Sequence, residues 1–437
     1  MKYILLFTLV CYSALTHSQT PFTLKDCLEE GLEKNYSVRI ARNEGDMSKN
    51  NATIANAGYL PTLDLSAGYD GSLDNINTTP RNGDSYTDNG IYDQVFNAGL
   101  NLNWTLFDGF KISTTYEKLK ELEKMGETNT RIAIEDFIAG LTSEYYSYVQ
   151  EQIRLKNLRY AVSLSKERLR IVQSRYEIGS FSRLDLQQAK VDFNADSAKL
   201  LKQQELVISS RIRLNEMMAC ERMDYVCQVA DTTIGLNLVP PVDQLWENTL
   251  KTNASLLKAE QNHTLSELDL KTVNSRNYPY LKLNSRYGYT FNKYGSGTYT
   301  QRNNWGLDVG VTIGINLFDG NRRSERKNAR IAIENAKLQR DELELGLKAD
   351  LSNLWQAYQN NLELLKLERD NLIAARENLD IAMERYMLGN LSGIEMREAQ
   401  KSLLDAEERI LSAEYDTKIC EISLKQISGN ILDYLQE

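Results

Sequence analysis

Few side chains in this sequence are equipped for covalent chemistry. Once an N-terminal leader is set aside, a single histidine remains, His263. That excludes histidine-based acid–base catalysis and a multi-histidine metal site on inventory alone. Four cysteines remain: Cys27, Cys220, Cys227 and Cys420. Cys220 and Cys227 are close enough in sequence for a local disulfide in an oxidising compartment, the alternative being two free thiols. Two cysteines alone do not make a metal site. Glu395 and Glu398 form an i, i+3 carboxylate pair, which on a helix shares one face; its simplest reading is a solvated surface. No Ser-His-Asp, Cys-His or metal-ligand cluster is present, so neither an enzyme nor a cofactor or metal site is expected. The chemistry on offer is that of fixed charge.

The two carboxylates lie just past a segment that the chain repeats. Leu106-Phe107-Asp108-Gly109 returns as Leu317-Phe318-Asp319-Gly320. Arg175-Tyr176-Glu177-Ile178-Gly179-Ser180-Phe181-Ser182 returns as Arg385-Tyr386-Met387-Leu388-Gly389-Asn390-Leu391-Ser392. Gly109 and Gly179 are 70 residues apart, Gly320 and Gly389 are 69 apart. Leu32-x-x-Asn35-x-Ser37 also matches Leu250-x-x-Asn253-x-Ser255, and Pro61 matches Pro279, at an offset of 218. A period of about 210 residues is too long for a solenoid unit. It implies a duplicated half-molecule in which each half carries the whole architecture.

The formal net charge of −9 argues against nucleic acid as a partner. Lys2, the apolar run Tyr3 to Val10 and small residues before Gln19 read as a signal peptide over 1–18. No run of 18 apolar residues offers a transmembrane helix.

Periodicity then divides each half. The first structural repeat, 19–217, opens with a helix over 22–57, where leucines recur at spacing four and Gly58 and Pro61 stop the run. The period then drops to two: Leu63, Leu65, Ala67 and Tyr69 alternate with Asp64, Ser66, Gly68 and Asp70. Strands are expected at about 62–73 and 94–106, joined by a polar loop over 72–92. The second repeat, 242–427, gives a helix over 242–276, strands at about 280–292 and 304–317, and a polar loop between them. These strands are long enough to cross a bilayer, with one apolar face and one polar, glycine-rich face, as in a membrane barrel with a wet lumen.

Long helices follow each Phe-Asp-Gly, over 109–178 with a return at 183–217, and over 320–388 with a return at 392–427. Leu141, Tyr148, Leu155, Val162, Leu169 and Tyr176 fall at spacing seven, as do Leu351, Tyr358, Leu365, Leu372, Leu379 and Tyr386. A seven-residue period implies left-handed coiled-coil packing. About 70 residues at 1.5 Å each give a helix of roughly 105 Å. The segment 218–241, with Pro240-Pro241, is expected as a connector packed outside the helices, and 428–437 as a C-terminal tail. Gly179 and Gly389 fit helix-terminating positions. Asp108 and Asp319 fit helix starts, where an anion is favoured, with Gly109 and Gly320 easing the strand-to-helix junctions beside Phe107 and Phe318.

Four strands cannot close a membrane barrel, and an open edge in lipid leaves unpaired backbone groups. Several chains must share one barrel. Two chains would give eight strands and a filled interior; three give twelve, and the polar inner faces favour the larger choice.

This order of motifs resembles the TolC-type outer-membrane efflux proteins, over residues 22–428. The resemblance implies an α+β membrane protein: a homotrimer with a twelve-stranded outer-membrane barrel, continued by a coiled-coil helical barrel across the periplasm. It further implies an exit duct for an inner-membrane pump of the RND, ABC or MFS type, joined through a periplasmic adaptor, in a tripartite efflux pump or a type I secretion system of a Gram-negative envelope. By the same resemblance the gate lies just after the turn glycines. Glu395 and Glu398, six and nine residues after Gly389, take the family's ring of acids. Three copies of each would attract cations and raise one another's pKa. Asp185, six after Gly179, would pair with Tyr386 to hold the tip closed. Leu391 stands where the family has an arginine, so Arg183 or Arg397 would take its part. Gly179, Phe181, Ser182, Gly389, Leu391 and Ser392 are the expected adaptor-docking tips. A periplasmic coiled-coil adaptor or structural envelope protein is the alternative reading, but it does not account for the paired amphipathic strands and the duplication.

Overall fold

The computed structural model describes residues 22–223 and 229–435. The signal peptide and Cys227, and with it the Cys220–Cys227 pairing, lie outside the described residues. The elements in chain order are α1 (Leu24–Lys34), α2 (Tyr36–Asn51), α3 (Ile54–Ala57), β1 (Thr62–Thr78), β2 (Tyr86–Asp108), α4 (Lys111–Glu177) and α5 (Arg183–Met217). The second half follows with α6 (Val242–Thr252), α7 (Ala254–Ser275), β3 (Tyr280–Lys293), β4 (Gln301–Gly314), α8 (Arg322–Met387), α9 (Gly393–Ile427) and a final 3-10 turn (Ile431–Leu435). Two compact units divide them. One holds Glu44–Glu127 and Lys258–Arg340; the other holds the chain through Asn43, Thr128–Leu257 and Asp341 onward.

The first unit is built on an antiparallel sheet in the order β1-β2-β3-β4. Its register lines up the alternating residues across all four strands. One face carries the rows Leu65–Leu100–Tyr287–Leu307 and Ala67–Ala98–Tyr289–Trp305. The opposite face carries Asp64–Asn101–Arg286–Asp308 and Ser66–Gly99–Gly288–Gly306. Gly99 and Gly288 are adjacent in this last row, and a Cβ on Gly99 would come within 2.9 Å of the Tyr287 carbonyl oxygen. The Phe107-Asp108-Gly109 junction is equally constrained. Gly109 has φ +73°, and a side chain there would fall on the Ser275 carbonyl, while Asp108 Oδ1 accepts from the Ile112 amide at 3.0 Å. In the second copy Asp319 Oδ1 accepts from Asn321 N at 3.0 Å.

Several expected boundaries need correction. The 72–92 loop is mostly strand: pairing runs from Ser72–Asp93 to Thr78–Tyr86, leaving only 79–85 as the turn. A ladder needs only backbone groups, so the loss of apolar alternation did not end it. β4 stops at Gly314, not at 317, because its partner β3 begins at Tyr280 just after Pro279; Leu317 and Phe318 then stand exposed.

In the other unit, the single helices expected over 22–57 and 242–276 are each interrupted. Asn35 Oδ1 accepts from the amides of Ser37 (2.9 Å) and Val38 (3.3 Å), and its Nδ2 donates to Met217 O at 2.9 Å. Asn253 does the same with Ser255 and Leu256, and donates to Ile427 O at 2.9 Å. The duplicated Leu-x-x-Asn-x-Ser motif is therefore a break that caps one helix start while satisfying the end of a returning helix.

The connector and tail are not peripheral. Ile234, Ile431 and Tyr434 join Leu141, Tyr145 and Leu214 in the largest core cluster. There the buried Glu421 accepts from Lys418 Nζ (2.9 Å), Tyr434 Oη (2.7 Å) and the Asn237 amide (3.0 Å). The second-half heptad residues Leu351, Tyr358, Leu365, Leu379 and Tyr386 are all buried, whereas the first-half series opens toward its end, leaving Tyr176 exposed.

Candidate gate at the helix turns

Two turns join the long helices to their returns, and both follow one local recipe. Gly179 (φ +78°) and Gly389 (φ +82°) end α4 and α8. Among the described residues no atom lies within 4 Å of where a Cβ would stand on either, so glycine is needed there for its left-handed backbone and not for space. Ser180 N donates to Arg175 O (2.8 Å) and Gly179 N to Tyr176 O (3.0 Å); Asn390 N and Gly389 N do the same to Arg385 O and Tyr386 O. This is the Schellman closure.

Each return helix then opens on a capping box. Asp185 N donates to Ser182 Oγ at 3.2 Å, while Asp185 Oδ2 accepts from Ser182 N (3.0 Å) and Oγ (2.6 Å). Glu395 N donates to Ser392 Oγ at 3.2 Å, and Glu395 Oε2 accepts from Ser392 N (3.0 Å) and Oγ (2.7 Å). The serine hydroxyl, then its amide, holds each carboxyl below the ordinary carboxylate range. For Glu395 this is opposite in direction to the rise expected from clustered acids. Glu398 lies one turn further along α9, exposed.

The anticipated Asp185–Tyr386 bond is not formed within the chain. Asp185 is engaged by Ser182, and the fully buried Tyr386 hydroxyl has no hydrogen-bond partner among the described residues. Burial pushes the Tyr386 phenol up. Tyr386 is held instead by Arg175. That guanidinium donates to the carbonyls of Tyr386 (3.1 Å) and Met387 (2.8 Å) at the end of α8, and lies 5.6 Å from the Tyr386 ring and 5.2 Å from the Phe181 ring. A cavity of 260 Å³ beside it is lined by Arg168, Phe181, Asp185, Tyr386 and Leu391 among others.

Arg397 does not stand in for the family's arginine. Its guanidinium is a two-pronged clamp on Asp196, at 2.6 and 2.8 Å, and Ser165 also donates to that carboxylate. Burial works to raise the Asp196 pKa, but the Arg397 and Ser165 bonds outweigh it and the net shift is downward. A second buried pair joins Arg168 to Asp192. Arg175, Arg168 and Asp196 were not expected as site residues. The signal for Arg175 was its place in the duplicated Arg-Tyr-x-x-Gly; Arg168 and Asp196 sit outside the heptad register and carry none.

The docking candidates also sort by exposure. Phe181 and Leu391 are half-buried against the tip's apolar cluster, and Ser182 and Ser392 serve as helix caps. The apolar side chains that project at the turns are Ile178, Leu184, Leu388 and Ile394, each more than three-quarters exposed.

Comparison with known proteins gives a consistent result. A family model described as outer membrane efflux protein matches residues 27–219 and 245–430, one stretch in each half. The outer membrane protein TolC of Vibrio cholerae is 20% identical over 98% of this chain and 96% of its own length. The proteases secretion protein PrtF of Dickeya chrysanthemi is 19% identical over 93% of this chain and 88% of its own. Among solved structures, the CmeC outer membrane channel of Campylobacter jejuni superposes with a TM-score of 0.77 at 16% identity, covering 93% of this chain and 85% of that one.

Proposed function

The chain belongs to the outer membrane efflux protein family, and on that premise we propose that three copies build one export duct, each giving four strands to a shared barrel. The protein is an outer-membrane channel that conducts substrates passively out of the cell. The observation that carries the reading is the sheet. Leu63, Leu65, Tyr69, Trp305, Leu307 and Ile313 stand 60–79% exposed on one face, a contiguous apolar surface far beyond what a water-soluble sheet leaves open. The other face carries Asp64, Asn101, Arg286 and Asp308 in one row. Lipid on the first face and water on the second satisfy both. Among the described residues β1 and β4 each have one neighbouring strand, and each open backbone group in hydrocarbon costs several kcal/mol. Pairing β4 of one chain with β1 of the next removes both edges, and twelve strands leave the water-filled lumen that the charged row requires.

The helix turns are the periplasmic end, where the duct meets an adaptor and, through it, an inner-membrane transporter. Ile178, Leu184, Leu388 and Ile394 are the apolar contacts they offer, alongside Gly179, Phe181, Ser182, Gly389, Leu391 and Ser392. Both a tripartite efflux pump and a type I secretion line fit such a duct. Glu395 and Glu398, each present three times, form two carboxylate rings at the entrance. Ser392 holds the Glu395 carboxyl below its ordinary range, so the ring is charged and concentrates cations at neutral pH. In planar lipid bilayers the purified protein should form cation-preferring channels, and the double variant Glu395→Ala, Glu398→Ala should lose much of that preference. No channel activity would sink the duct; unchanged ion preference in the variant would remove the two residues from the gate.

A further inference from the structure

The two turns are copies in sequence, yet their surroundings within the chain are unequal, and the inequality is one-sided. Arg175 is half-buried and clamped on the end of α8, while its copy Arg385 is exposed, its guanidinium making no hydrogen bond or ion pair among the described residues and acting only electrostatically on Glu395. Tyr386 is 0% exposed, while its copy Tyr176 is 39% exposed. Arg168 is buried and donates to Gly393 O at 3.4 Å, while its counterpart Asn378 is exposed. By contrast, Leu186 and Met396, and Ala189 and Ala399, are buried in both copies, and Ile178 and Leu388 are exposed in both.

This pattern has a geometric meaning. One side of the first turn, bearing Arg168 and Arg175, fits the complementary side of the second, bearing Tyr386. The same arginine side of the second turn (Arg385) and the same tyrosine side of the first (Tyr176) are left open. Two complementary open sides on one chain cannot meet each other, but they fit a second copy head to tail, which closes into a ring.

We propose that Arg385 of one chain clamps the end of α4 of the neighbouring chain, donating to the carbonyls of Tyr176 and Glu177 and lying over the Tyr176 ring. The contact copies the Arg175 clamp on Tyr386 and Met387, so the tip becomes a ring of six like joints, three within chains and three between them. The acceptors are available. Tyr386 O takes both the Gly389 amide and Arg175, whereas Tyr176 O takes only the Gly179 amide among the described residues. A cation at a helix C-terminus is favoured by the carbonyl dipoles there. The joints between chains are not identical to those within them. Leu391 replaces Phe181 beneath the guanidinium, so the inter-chain clamp lacks one of the two rings that hold Arg175. That makes the three inter-chain joints the weaker set and the places where the tip parts first.

The inference rests on the trimeric reading, and one experiment separates their failures. The full-length protein is made with benzoylphenylalanine at position 176, or at 386 as control, from two co-expressed, differently tagged copies. It is purified in detergent, checked for stoichiometry by sedimentation and irradiated. Position 176 should link to residues around 382–396 of the other-tagged chain, and position 386 to residues around 168–189 of its own. Arg385→Ala should cause loss of the 176 link and leave the 386 link intact. If the probe at 176 blocks assembly, a short bismaleimide joining Arg385→Cys to Glu177→Cys tests the same joint and should yield inter-chain products. A trimer in which position 176 links only within its own chain, or to nothing, overturns the clamp while leaving the trimer standing. A monomeric protein overturns both.

Discussion

Arg175 and Asp196 show how the tip is held by charge inside an apolar seam. Asp196 is nearly inaccessible and receives both prongs of Arg397 and the Ser165 hydroxyl. Removing one partner of a buried pair strands the other, so Asp196→Ala should destabilise the protein by about 3–5 kcal/mol, read as a lowered thermal midpoint. The pH dependence follows from the direction of its shift. Its folded pKa is depressed, so the stabilisation is fully present above the unfolded aspartate value of about 3.9 and is lost as pH falls through the lower folded value. The gap between wild type and Asp196→Ala should therefore be constant from neutral pH down to about 5 and shrink below about 4. A gap that narrows already near pH 6 would contradict the assignment. Little of this was legible in the sequence. Glu395 and Glu398 announced themselves by spacing, but Arg168 and Asp196 lie in ordinary helix, and only the folded helices reveal that Arg168 is buried against Asp192 and Asp196 against Arg397. The capping roles of Ser182–Asp185 and Ser392–Glu395 were available from the Ser-x-x-acid spacing itself.

At the scale of elements, the legible parts were those with a strong period. Heptads at spacing seven marked the long helices, and alternation marked the strands, because both patterns record which face is buried. Boundaries set by single side chains or by backbone pairing were not. Asn35 and Asn253 break helices whose apolar pattern runs straight through them, and the β1–β2 hairpin continues beyond the apolar rows because its ladder needs no apolar face. The strand-to-helix junctions gave a mixed result. Gly109 is required by both handedness and space, whereas a Cβ on Gly320 would meet only the Phe318 ring at an ordinary 3.7 Å, and its backbone is not left-handed. The two copies of one motif should therefore respond differently. Gly109→Ala should lower the thermal midpoint by an amount corresponding to more than about 1–2 kcal/mol, the cost of forcing a side chain into a left-handed, crowded position. Gly320→Ala should fall within about 0.5 kcal/mol of wild type. Equal effects would mean that the junctions are equivalent after all.

At the scale of the whole molecule, the duplication is the organising fact. Each half brings two strands, a long helix, a turn and a returning helix, and the open faces of one chain match its own complementary faces at both levels. β4 is the edge that β1 lacks, and Arg385 is the cation that the end of α4 lacks. A chain built this way is incomplete alone: its sheet exposes an apolar face and two edges, and its tip exposes half of a joint. Closure by three copies resolves all of these with one symmetry. The stoichiometry of the assembled protein tests this most directly. Native mass spectrometry of the full-length protein released from detergent micelles should show a single species of three chains, which persists at low protein concentration and falls to single chains only under denaturing conditions. A species of one or two chains under the same gentle conditions would contradict the shared barrel, and with it the duct.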